Sequence, residues 1–173
     1  IYIGGGTPSV LSTPLLEKLL SYLSHYFSTV KEFTIEANPE SRTEEKAAIR
    51  SRYGVNRVSL GVESTNPTTL SYLGRNHTLE QALAAVSNLK KHNIDNINLD
   101  FIYGVSGESL TDLKEDIQFA LNQNVKHLSF YSLQIEQGTV LHNQKTIPVS
   151  DDIYRMQYDF LVSELEKNGF HRY

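Results

Sequence analysis

The feature that most constrains this chain is an alternation of strand-like and helix-like segments, repeated five times along 173 residues. Ile1-Tyr2-Ile3 runs into three glycines. Thr13-Pro14 then supplies an N-cap and a first-turn proline for a helix with Leu15, Leu16, Leu19, Leu20, Leu23, Tyr26 and Phe27 at helical spacing. Residues 32–37 read as a strand halted by Asn38-Pro39, and residues 43–53 as a helix stopped by Gly54. Residues 56–63 form the third strand, and Asn66-Pro67 opens a short helix ending near Gly74-Arg75. Thr78 to Gln81 is a capping box for a helix carrying Ala82, Leu83, Val86 and Leu89. Strand 96–102, helix 109–122 and strand 127–133 follow. A polar loop with Gly138 and Pro148 leads to a helix capped by Ser150 and stopped by Gly169. Such alternation predicts one α/β domain over 1–173, with about five parallel strands joined by helical crossovers. Periodicity alone leaves a (β/α) barrel and a doubly wound sheet both open.

Strands of a parallel sheet are buried on both faces, so polar residues in them need a reason. Here the polar exceptions fall toward the ends of the strands. Gly4-Gly5-Gly6 close the first, Glu36 the second, Glu63 the third and Asp100 the fourth; Ser132 and Gln134 close the fifth. In either architecture that edge is where ligands bind. A glycine run between strand and helix lets the backbone approach a ligand and leaves N–H groups for a carboxylate or phosphate, or else simply makes a tight turn. It is neither G-x-x-x-x-G-K-[ST] nor G-x-G-x-x-G. The three carboxylates predict either oxygen ligands for a hard cation or hydrogen-bond partners for a polar cofactor. Arg75 is either a charge at a helix end or a bidentate carboxylate clamp. The six histidines, at 25, 77, 92, 127, 142 and 171, show no metal-ligand spacing, and most read as surface or helix-end residues. No residue is singled out as catalytic.

Net charge is −4 without a Lys/Arg run, which argues against nucleic acid or an anionic membrane as partner. No apolar run approaches the roughly 20 residues of a membrane span. Zero cysteine excludes disulfides and Cys-ligated metal within these residues. The chain starts with Ile, so a preceding segment is expected, and a cytoplasmic enzyme segment fits the composition.

The ordered motifs resemble the radical S-adenosylmethionine (SAM) enzymes related to oxygen-independent coproporphyrinogen III oxidase. They are Ile3-Gly4-Gly5-Gly6-Thr7-Pro8-Ser9, Ile35-Glu36-Ala37-Asn38-Pro39 and Gly54 to Ser64, then Leu73-Gly74-Arg75-Asn76-His77-Thr78 and Asn96 to Gly104. Leu128 to Leu133, Ile135 to Thr139 and Gly169 to Tyr173 continue the match. The last of these, with Tyr131 to Glu136, is more similar to the heme chaperone HemW branch.

The resemblance implies a partial TIM-like barrel of the radical SAM type, using SAM and a [4Fe–4S] cluster. It implies that Gly5, Gly6 and Thr7 present backbone to the methionyl part of SAM and that Glu36 hydrogen-bonds the cofactor. Arg75 would meet a carboxylate or a second SAM, with Glu63, Asp100 and Gln134 on further contact positions. It also implies a 5′-deoxyadenosyl radical, a tetrapyrrole partner (coproporphyrinogen III or heme) and an electron donor protein. Cluster ligands would lie upstream of this chain, leaving no metal ligand within it. Glu63 departs from the family's usual Gln, and Val105-Ser106-Gly107-Glu108 from Leu-Pro-Gly-Gln. Two alternatives stand beside it: a Mg²⁺ or Mn²⁺ enzyme using Glu36, Glu63 and Asp100, and a heme carrier without porphyrin chemistry.

Overall fold

The computed structural model describes residues 1–26, 29–41 and 43–173. Five strands, β1 (Tyr2–Ile3), β2 (Thr34–Ala37), β3 (Arg57–Glu63), β4 (Asn96–Tyr103) and β5 (His127–Ser132), form one sheet in the order β1-β2-β3-β4-β5. Every neighbouring pair is parallel. Spatial order equals chain order, with no point where it reverses. A doubly wound sheet has such a reversal, so this sheet is a barrel arc.

The crossovers are α1 (Thr13–Tyr26), α2 (Glu44–Arg52), α3 (Pro67–Tyr72), α4 (Leu79–Lys91) and α5 (Leu110–Asn122). After β5 come a short α6 (Val140–Asn143), inside the segment expected as a polar loop, and α7 (Asp151–Lys167). Side-chain caps set the starts: Thr43, Thr78, Ser109 and Ser150 each accept an N–H of the first turn. Thr13 is already helical rather than a cap, and the Leu16 N–H bonds the Ser12 carbonyl. Phe27, expected in the apolar repeat of α1, lies outside the described residues. The second strand begins at Thr34 rather than residue 32, since Glu32 is exposed.

One face of the sheet makes the core. Ile35, Val58, Leu60, Val62, Ile97, Leu99 and Phe101 are buried against Leu16, Leu20, Ala82, Ala85, Val86 and Leu89 of the helices. At about 25 cal/mol per Å² of apolar surface removed from water, this contact is what holds the helices onto the arc. Leu113, Ile117 and Leu161 form a smaller cluster that seats α7 against α5.

The other face is polar along its length. Ser59 and Asn98 pair in register, as do Gly61, Asp100 and Ser129, all inside their strands. Asp100 is therefore the fifth residue of an eight-residue strand, not its end as the sequence suggested. The period-2 alternation in β3 and β4 marks a polar barrel interior, in place of two apolar faces. Among the described residues no helix is long and apolar enough to cross a membrane.

Candidate functional site

The glycine loop after β1 is fixed from beneath. Ser9, fully buried, accepts the Asn38 N–H at 3.1 Å and the Ser41 hydroxyl on its Oγ. Its carbonyl accepts from the buried Lys46 ammonium at 2.7 Å. Burial, then the neighbouring Arg50, lowers the Lys46 pKa. Gly5 and Gly6 have φ of 84° and 63°, and a Cβ on either would meet nothing within 4 Å. The loop thus presents open backbone in a conformation that glycine adopts without strain.

Glu36 joins this loop to the sheet. Its carboxylate accepts the Tyr2 phenol at 2.6 Å and the Gly5 N–H at 3.1 Å. Gly4 has no room for a side chain, because a Cβ would lie 2.5 Å from the Tyr2 ring and 2.8 Å from Glu36 Oε1. Burial, then the Glu36 hydrogen bond and charge, raises the Tyr2 phenol to about 12, so it stays a donor at neutral pH.

Asp100 is held by polar neighbours on the same face. Ser59 Oγ donates to it at 2.7 Å and Asn98 Nδ2 at 2.7 Å, while Ser129 Oγ donates to Asn98 Oδ1 at 3.1 Å. Burial pushes the Asp100 carboxyl up; the Ser59, Ser129 and Asn98 hydrogen bonds pull it back, and the charge of Glu36 raises it further.

Glu63 ends β3 with φ 65°, a left-handed conformation unusual for a residue with a side chain. It is buried, 7% exposed, and Arg75 Nη2 donates to its Oε1 at 2.7 Å. Gly61 makes space for it, since a Cβ there would stand 2.9 Å from Glu63 Oε1. Burial raises the Glu63 pKa, Arg75 lowers it, and Asp100 and Glu40 raise it. Arg75 Nε is buried without a partner, so the guanidinium has donor capacity that the protein leaves unused.

The structure thus brings Gly5, Glu36, Glu63, Arg75 and Asp100 to one polar face and its rim. Thr7 belongs to the same loop, where Asn38 Nδ2 reaches its hydroxyl at 3.5 Å. Gln134 stands apart: it donates to Ser132 Oγ at 3.0 Å and lines a shallow pocket with Tyr103 and Tyr154. Arg75 is not a helix-end charge, because α3 ends at Tyr72 and the guanidinium crosses to Glu63. Nor do the three acids converge as a cation cage. Among the described residues no three His, Cys, Asp or Glu side chains are placed to hold a metal ion.

Sequence reasoning passed over Tyr2, Ser59, Asn98, Lys46 and His77. Ser59 and Asn98 sit at alternate positions of their strands, a signal that was readable. His77 was not readable as buried; it is 5% exposed, with Nε2 2.9 Å from the Val62 carbonyl.

Three carboxylates face one guanidinium here, an excess of negative charge that favours a cationic group. Arg75, whose side chain is 34% exposed, suits a carboxylate. An amino-acid zwitterion bearing a sulfonium, as in SAM, fits both requirements. A [4Fe–4S] cluster is not provided for by these residues, since its iron takes thiolates and the chain has no cysteine.

Comparison with known proteins places the chain by sequence and by fold. The chain is 38% identical over its whole length to the heme chaperone HemW of Lactococcus lactis and 35% identical to that of Bacillus subtilis. It spans 47% and 48% of those proteins, about half the length of each. The fold matches coproporphyrinogen III oxidase (HemN) from Escherichia coli, described as a radical SAM enzyme, with a TM-score of 0.85 at 21% identity. That match covers 98% of this chain and 40% of the oxidase. Residues 1–120 match the model of the radical SAM superfamily, and the chain belongs to that superfamily.

Proposed function

We propose that this chain is the SAM-binding central part of a cytoplasmic heme chaperone of the HemW type. SAM and the [4Fe–4S] cluster are the cofactors of its superfamily, and together they supply radical chemistry. Toward SAM, the open Gly5-Gly6-Thr7 backbone and Glu36 receive the methionyl ammonium and sulfonium side. Arg75 offers the exposed part of its guanidinium to a carboxylate. The acids Glu63 and Asp100, with Ser59 and Asn98, offer partners to hydroxyl groups on the polar face.

The observation that carries this reading is Arg75: Nη2 is committed to Glu63 while the side chain stays 34% exposed. The tetrapyrrole partner rests on the heme chaperones that this chain resembles along its full length. An electron donor protein completes the proposal, because cleavage of SAM is reductive. The oxidase reading is second, supported by the HemN fold.

The test uses the longer protein carrying this chain, purified anaerobically. Calorimetry with SAM should give binding that Glu36→Gln weakens about tenfold or more, since the lost contact is charge-assisted. Heme should bind with a Soret shift and pass to an apo-acceptor, and coproporphyrinogen III should remain unchanged. Conversion of coproporphyrinogen to a divinyl product would establish the oxidase instead. SAM binding unaffected by Glu36→Gln would remove the site.

A further inference from the structure

The turn at the end of β3 is held against its own strain. The Ser64 N–H bonds the Val62 carbonyl at 2.8 Å, which closes a three-residue turn with Glu63 at its centre and φ 65°. A γ-turn with positive φ at its centre is rare and strained. The pairing of β3 with β4 also shifts register between Gly61 and Glu63. Strained conformations of this kind persist only where the surroundings over-determine them.

Two buried side chains supply that restraint. Asp116 of α5, fully buried, accepts from the Ser64 hydroxyl at 3.2 Å and from the Thr65 N–H and hydroxyl at 2.5 and 2.6 Å. It fixes the chain just after Glu63. His77 acts just before it: Nε2 donates to the Val62 carbonyl, the same oxygen that closes the turn. Its Nδ1 lies 3.3 Å from Glu40 Oε2 without a hydrogen bond. Glu40 belongs to the Pro39–Ser41 turn, whose Ser41 holds Ser9 of the glycine loop. Arg75 and His77, two residues apart in the link between α3 and α4, thus engage Glu63 and Val62 respectively.

We infer that His77 is a positioning residue, which holds Glu63 in the left-handed turn and so sets the Glu63–Arg75 pair. The relevance to ligand binding rests on the SAM reading above; the positioning itself does not.

The decisive experiment is a double-mutant cycle in thermal melts of the longer protein that carries this chain, without SAM. Glycine adopts φ 65° without strain, so Glu63→Gly removes the need for restraint. His77→Phe keeps ring volume and removes the donor. His77→Phe should lower the melting temperature by several degrees with Glu63 present, and by less than half as much with Glu63→Gly. His77→Gln, which retains an amide donor, should recover part of the loss. A histidine that merely fills space gives equal losses in both backgrounds, and that result overturns the inference. Should His77→Phe fail to fold alone, its recovery in the Glu63→Gly background supports the coupling and continued failure refutes it. None of these melts contains SAM, so failure here is distinct from failure of the SAM site.

Discussion

Arg75 Nη2 lies 2.7 Å from Glu63 Oε1, which makes an internal carboxylate the resident partner of the residue placed to meet an external one. The pair is asymmetric: the Glu63 side chain is 10% exposed and the Arg75 side chain 34%. Removing the arginine strands a buried acid, whereas removing the acid leaves a cation that reaches water.

Arg75→Ala should therefore lower apo stability by about 1–3 kcal/mol, the range for a buried group left unsatisfied. Burial already raises the Glu63 pKa, so the stranded acid can protonate and limit the loss. Glu63→Gln in the same background should recover most of it. Arg75→Lys keeps the charge without the planar fork and should weaken SAM about tenfold in the longer protein. Equal SAM affinity for the parent and the Arg75→Lys variant by calorimetry would discard the cofactor role.

The glycines of the loop should separate by mechanism. Gly4→Ala places a Cβ on the Tyr2 ring and the Glu36 carboxylate, so it disrupts the Tyr2–Glu36 hydrogen bond. Gly5→Ala meets no atom within 4 Å but carries φ 84°, a strain of about 1 kcal/mol. Both should reduce stability, and Gly4→Ala should reduce SAM affinity by the larger factor. Comparable affinities for the two variants would detach Glu36 from the ligand.

Much of the fold was legible in the sequence, because it rests on local rules. Thr78 and Ser150 cap helices as expected, while Thr43 and Ser109, expected as first helical residues, cap helices that start one residue later. The parallel arc follows from the alternation of strand and helix, but that alternation does not set the strand order. Reading Asp100 as a strand end came from assuming two apolar faces; the Ser59, Asn98 and Ser129 alternation contradicts that assumption. Contacts made by residues remote in sequence stayed hidden. Lys46 reaching Ser9, Asp116 reaching Thr65 and His77 reaching Val62 leave no period in the sequence.

The chain itself should take up no iron–sulfur cluster, since it has no cysteine. Anaerobic incubation with iron and sulfide, followed by desalting, should leave it colourless. A stoichiometric absorption band in the blue part of the visible spectrum would show ligands other than thiolate.

A last prediction concerns the acid beneath the loop after β4. Glu108 Oε2 accepts the Gly104 N–H at 3.0 Å, while Glu108 Oε1 and Gln157 Oε1 are both buried without a partner. Two buried acceptors lack one proton. Burial first, then the Asp116 charge, raises the Glu108 carboxyl to about 7, with the Gly104 and Val105 N–H groups opposing and Asp112 adding to the rise. A carboxyl raised on folding binds more protons folded than unfolded between its ordinary value and about 7. Its contribution is therefore fully present below that ordinary value and is lost as pH rises through about 7. Glu108→Gln supplies a neutral amide with a donor at every pH. The variant should match the parent near pH 4, then exceed it increasingly toward pH 8, by on the order of 3 kcal/mol. Taking the difference between the two proteins at each pH cancels Glu44 and Glu80, whose lowered pKa acts in the opposite sense, while Asp116 and Asp112 enter through their repulsion of Glu108. Urea melts at about pH 4, 6 and 8 measure it; a difference independent of pH would mean that folding does not raise the Glu108 pKa.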